Sequence, residues 1–141
     1  MSRTSAIRCY ALEEIAVEKV RAGLQVRDRL NRFEEQGRRG YAHRVRDVYD
    51  LWFLRTNTDA ELDWALVRRI LPAKTRARNI RWDSADVFRD ERVERLYREQ
   101  WTPRLQGFVS ELPPFDEAWS VYSEILDDVV VVPMDGETEP P

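Results

Sequence analysis

A single cysteine, Cys9, and a single histidine, His43, stand in 141 residues. That excludes an internal disulfide, a zinc ribbon, and any Cys/His or Ser/His catalytic pair not centred on His43. A chain without disulfide staples suits a reducing compartment, so the expected location is cytoplasmic. Cys9 is expected to pack in the core as a small apolar side chain, and His43, beside a glycine-containing loop, calls for no role. Long apolar runs are missing too. No window approaches the roughly 20 apolar residues of a membrane span, and the first residues (MSRTSAIRCYALEEIAVEKV) lack the apolar stretch of a signal peptide. No membrane partner is expected. Lysine is scarce: Lys19 and Lys74 are the only two among 23 basic residues. Since arginine is the default cation here, each lysine invites inspection.

What is present suits one folded domain. Hydrophobic residues make up 43% and aromatics 11%, while the charged share of 35% exceeds the usual quarter and points to solvated helices. Residues 1–82 hold 18 Arg and Lys against 11 Asp and Glu, and residues 83–141 hold 5 against 15. A basic half can serve a polyanion, or it can receive the acidic half folded back on it. We expect a helical domain over 1–132 and a disordered acidic tail over 133–141 (PMDGETEPP).

The apolar periodicity predicts a mainly α chain, a compact helical bundle with short peripheral strands. Ile7 to Tyr10 fits a short strand. Leu12 to Leu24 fits a helix with Leu12, Ile15, Ala16, Val20 and Gly23 on one side and Glu13, Glu14, Glu18 and Arg21 on the other. The helical pattern can continue through Val26, Leu30 and Phe33 to an exposed loop at Gln36–Gly40. Val45 to Leu54 is apolar almost all round, as expected of a helix buried on most sides. Asp59 is a candidate cap for a helix that Pro72 should end, leaving Ala73 to Trp82 as a loop or irregular helix rich in cations. Ser84 and Asp90 are candidate caps for the stripe Val93, Leu96, Tyr97, Trp101, Leu105 and Phe108, bent or stopped near Pro103. After Pro113-Pro114, Phe115 to Leu126 predicts a last helix and Val129 to Val132 a strand.

Two features break the pattern. Lys19 falls in the middle of the apolar side of its helix, where an ammonium must snorkel, meet a carboxylate, or border a cleft that receives an anion. Asp47 and Asp50, three apart on the most apolar helix, are costly unless met by Arg44, Arg46, a lysine, hydrogen bonds or a metal. Misplaced charges on two successive helices suggest one polar site lined from both.

The run Tyr10-Ala11-Leu12-Glu13-Glu14, then Ala16-Val17-Glu18-Lys19, then Arg46-Asp47-Val48-Tyr49-Asp50-Leu51 resembles the paired motifs of AbiEii/AbiGii-type nucleotidyltransferase toxins. Looser similarity reaches about Leu126, through the Trp101 helix and Pro114 to Trp119. The resemblance implies the C-terminal helical part of such an enzyme, with Lys19 and Asp47 as catalytic residues; Asp50 and Arg46, beside Asp47 on the same helix, are secondary candidates. It implies transfer of nucleotides from a nucleoside triphosphate to RNA, with tRNA as the acceptor, and control by a partner antitoxin. A cation at the triphosphate offsets charge building on the displaced pyrophosphate, which gives the lysine its chemical sense.

The family also carries a Gly-Ser turn and an Asp-x-Asp pair that binds the metal. None of the five glycines here precedes serine, and no Asp-x-Asp occurs. The chain alone is thus expected to hold no metal or cofactor, and to require a partner supplying the metal-binding half before Mg2+ and nucleotide can be used. Lys74, Arg76, Arg78 and Arg81 form a candidate RNA-binding segment, with Trp82 available to stack on a base. A truncated member that binds RNA or antitoxin without catalysis, and a helical interaction module sharing only the scaffold, are the competing readings. If the missing half docks here, the face bearing Lys19 and Asp47 should be exposed amid apolar surroundings.

Overall fold

The first helix, α1, spans residues 12–23 and is helical again at 25–26. The computed structural model describes residues 12–23, 25–26, 44–57, 62–77 and 89–130. Ala16, Val17, Val20 and Val26 are fully buried, and of the four residues expected to face solvent two are buried as well: Glu13 is 1% and Arg21 6% accessible. Conversely Ile15, assigned to the apolar side, is 46% exposed. The buried guanidinium is met: Arg21 donates to Glu18 at 2.8 and 3.0 Å and to Gln25 at 2.8 Å.

Helix α2, Val45–Thr56, buries the narrow stripe Val45, Val48 and Leu51. It was expected to be covered on most sides, yet Phe53 remains 45% exposed. Tyr49 packs on Trp52 (centroids 5.7 Å apart) and stacks on Phe53 (6.4 Å), so these rings cover one another in place of a neighbouring helix.

Helix α3 spans Trp64–Ala77 and contains Pro72 within it. Asp63 caps it by accepting the Leu66 N–H at 3.2 Å, and Asp59 lies outside the described residues. The Asp63 N–H is in turn held by Glu13 Oε1 at 2.9 Å, so the start of α3 is set by a residue of α1. Pro72 does not end the helix. It costs about 3 kcal/mol in a helix interior, but Val67, Leu71 and Thr75 form a buried i, i+4, i+8 row that continued helix keeps against the core. Thr75 Oγ1 donates to Leu71 and Pro72 carbonyls at 3.2 and 3.0 Å. Ala73 to Ala77 are therefore helical, and residues 78–82 lie outside the described residues.

Helix α4, Glu91–Leu105, begins at Asp90, whose carboxylate accepts the Arg92 N–H at 2.8 Å as expected. Pro103 sits in its last turn without stopping it before Leu105. Phe108 is 76% exposed, so it leaves the buried stripe once the helix ends. Helix α5, Phe115–Val129, starts behind Pro114 and buries Phe115, Ala118, Tyr122, Ile125, Leu126 and Val129. Val129 is helical and the Val130 N–H bonds Leu126 O at 2.8 Å, which replaces the expected start of a strand. Among the described residues there is no strand, and residues 7–10, 131 and 132 lie outside them.

The fold is mainly α. α5 packs against α2 and α3, and α2 also packs against α4. A chain of rings ties α4 to α5: Trp101 meets Phe115 edge-on at 5.4 Å, Phe115 stacks on Trp119 at 5.6 Å, and Trp119 leans on Tyr122 at 5.1 Å. Trp101 Nε1 donates to Pro113 O at 2.8 Å, fixing the diproline turn. Arg55 of α2 pairs with Asp128 of α5 at 3.0 Å, one place where the acidic half does fold onto the basic one.

Candidate active site

Lys19 leaves α1 toward α2, and its ammonium reaches both acids of that helix. Nζ lies 2.8 Å from Asp50 Oδ2 and 3.3 Å from Asp47 Oδ1. The spacing explains the arrangement: residues three apart share a helix face, so one cation from a facing helix can bridge them. None of the three is sealed off, with side chains 23% (Lys19), 13% (Asp47) and 25% (Asp50) exposed. The misplaced lysine and misplaced acids are thus each other's partners.

Asp47 is the most buried member. Burial pushes its carboxyl above the ordinary value, against the pull of Lys19 and Arg44, while Asp50 pushes the same way as burial. Asp47 Oδ2 is buried without a hydrogen bond, and its nearest charge is Arg44 Nη1 at 3.8 Å. The site also reaches into the core: burial, with Asp47 contributing, raises the phenols of Tyr97 and Tyr122 above their usual value.

A cleft of about 420 Å³ opens beside this pair, within the size range of small-molecule sites. Glu14, Ile15, Glu18, Lys19 and Arg21 line it from α1, and Arg44 and Asp47 from the start of α2. Among the described residues of this wall, where apolar surroundings are expected, Ile15 is the one apolar side chain. The reason is helical geometry: residues 14, 15, 18 and 19 form adjacent i, i+4 rows, so the charged flank of α1 reaches the mouth beside Lys19. Apolar periodicity did not mark Glu14, Glu18, Arg21 and Arg44 as lining groups. The i, i+4 relation of Glu14 and Glu18 beside Lys19 is the signal in the sequence that points to two of them.

The remaining candidates scatter. Arg46 is 59% exposed with Nε 3.8 Å from Asp50, on the rim and away from the cleft wall. Lys74 pairs with Glu14 at 3.1 Å, its side chain 38% exposed. Arg76 is exposed at the end of α3, and Arg78 and Arg81 lie outside the described residues. Among the described residues no three His, Cys, Asp or Glu groups come together to hold an ion, and Asp47 and Asp50 are already engaged by Lys19.

Residues 2–121 match the sequence profile of a family described as nucleotidyl transferase AbiEii toxin, type IV toxin–antitoxin system. The chain belongs to the AbiEii family. No curated protein and no solved structure matches it. In this AbiEii chain Lys19 of the first motif meets Asp47 and Asp50 of the second, one motif residue from α1 and two from α2. No helix among the described residues is long and apolar enough to cross a membrane.

Proposed function

We propose that this AbiEii-family chain supplies the lysine–aspartate half of a nucleotidyltransferase active site, which moves a nucleotide from a nucleoside triphosphate to RNA, with tRNA as acceptor. The observation that carries the reading is Lys19 held by Asp47 and Asp50 at the wall of an open cleft. In the reaction a ribose hydroxyl oxygen of the RNA bonds the α-phosphorus, the bond to pyrophosphate breaks, and the hydroxyl proton leaves. Charge accumulates on the departing pyrophosphate. An ammonium fixed in advance by two carboxylates is suited to stabilise it without reorganising. Asp47 and Asp50 act as positioning residues for that ammonium.

The metal chemistry belongs to the Gly-Ser and Asp-x-Asp motifs, which this sequence does not contain, so we assign them to a separate metal-binding half and an antitoxin to the toxin's control. The experiment is incorporation of each labelled nucleoside triphosphate into total tRNA with magnesium, for the chain alone and together with a polypeptide carrying those motifs. Lys19→Ala is the control. Incorporation that needs both polypeptides and disappears in the control supports the reading, and silence in every combination rejects it.

One observation favours a second reading, an RNA-binding role without catalysis. Arg68, Arg69 and Arg76 are all exposed on α3, a set of cations suited to phosphate. Silence in the incorporation assay with RNA binding lost in the Arg68→Gln/Arg76→Gln variant would select it.

A further inference from the structure

Three cations line the cleft, and they differ in how they are engaged. Lys19 is bound at 2.8 and 3.3 Å by two carboxylates. Arg21 is 7% exposed and spends Nε, Nη1 and Nη2 on Glu18 and Gln25 at 2.8 to 3.0 Å. The acids of the wall are matched as well, with Glu14 on Lys74, Glu18 on Arg21 and Asp47 on Lys19. Arg44 is the exception. Its Nε is buried with no hydrogen-bond partner. Its one ion-pair contact among the described residues is Nη1 to Asp47 Oδ2 at 3.8 Å, about 1 Å longer than a charge-assisted hydrogen bond. Its side chain is 38% exposed, so it reaches the open cleft as well as the interior.

We propose that Arg44 makes the direct contact with the anion, taking the terminal phosphate oxygens of a triphosphate, while Lys19 stays on its two aspartates and acts on the same charge through space. Turning to a phosphate costs Arg44 no formed hydrogen bond, whereas Lys19 would have to break two. The guanidinium also offers paired donors in a plane, the geometry that matches two oxygens of one phosphate, which an ammonium lacks. Arg44 stands at the start of α2 three residues before Asp47, so an anion held there lies next to the buried carboxylate and opposite Lys19. Arg46, the arginine next to Asp47 in sequence, is on the rim and plays no part in this contact.

This inference rests on the cleft being a triphosphate site, and its test is separable from the transfer assay because it needs neither metal, RNA nor second polypeptide. Inorganic triphosphate is titrated calorimetrically into the full chain in low salt. Wild type is expected to bind. Arg44→Gln should weaken binding at least about tenfold, and Arg44→Lys, which keeps the charge and loses the fork, should fall between. Arg104→Gln, an exposed arginine on α4, should stay within about twofold of wild type, as expected for one remote surface charge. Circular dichroism establishes that Arg44→Gln is folded, and should it not fold, Arg44→Lys decides alone. Equal binding by wild type and the Arg44 variants, or no binding by wild type, overturns the proposal. Triphosphate binding through Arg44 in a chain that never supports incorporation would leave this inference standing and reject the transfer reading.

Discussion

Replacing Lys19 with methionine keeps the length and apolar bulk of the stem but removes the charge that holds Asp47 and Asp50. Two carboxylates would then face each other across one helix turn, with side chains only 13% and 25% exposed. Removing one partner of a fully buried ion pair costs about 3–5 kcal/mol. Partial exposure lets water replace some of the lost interaction, which places Lys19→Met at about 2–4 kcal/mol at pH 7. For a chain of this size, that corresponds to a fall in melting temperature on the order of 6–12 °C. Urea denaturation followed by circular dichroism measures it, and the cycle with Asp47→Asn identifies its source. In Lys19→Met/Asp47→Asn one carboxylate remains, the more exposed Asp50, and more than half of the loss should return, a coupling of about 1–2 kcal/mol. The loss should also shrink on acidification as the stranded carboxylates take up protons. A Lys19→Met protein within about 0.5 kcal/mol of wild type, the range of an ordinary surface substitution, would show that the pair is solvated surface charge and refute the reasoning.

Asp47→Asn alone should behave differently. Because burial holds the folded-state pKa of Asp47 above 3.8, its ionisation opposes folding. The associated stability is complete below pH 3.8 and is lost as pH rises through the folded value. At neutral pH the asparagine variant avoids that penalty, so it should be at least as stable as wild type, with the difference vanishing toward acid. A clear loss at pH 7 in chemical denaturation would contradict this. Gly23→Ala would place a Cβ 2.5 Å from Tyr122 Oη, and since the Tyr122 ring is 1% exposed it has little room to retreat. Overpacking of about 1–3 kcal/mol should outweigh the helical gain from alanine. In a Tyr122→Phe background the cost of Gly23→Ala should largely disappear, and an unchanged cost would place the strain elsewhere. Trp101→Phe removes the 2.8 Å bond to Pro113 O and part of a buried ring, for about 1–3 kcal/mol in the urea midpoint. A neutral result would mean that the diproline turn is held without it.

The positions of the charges were legible along the chain because a helix repeats every 3.6 residues: Lys19 on an apolar side, and Asp47 and Asp50 on one face of the next helix, are out of place by their spacing and suggest one polar site. The cap at Asp90 and the apolar stripes of α4 and α5 were legible for the same reason, since capping and amphipathicity are local. The start of α3 was not, because Asp63 is held by Glu13, fifty residues away in sequence. Nor was the passage of α3 through Pro72, where burial of Leu71 and Thr75 outweighs a local penalty. Tertiary packing also decided which cations are committed. Lys74, marked for RNA, pairs with Glu14, and Arg44, named only as a candidate partner of the acids, lines the cleft with its Nε unpaired. Composition and periodicity identify which side chains are out of place, but which partner each one finds depends on distances between helices, and those arise only when the chain packs.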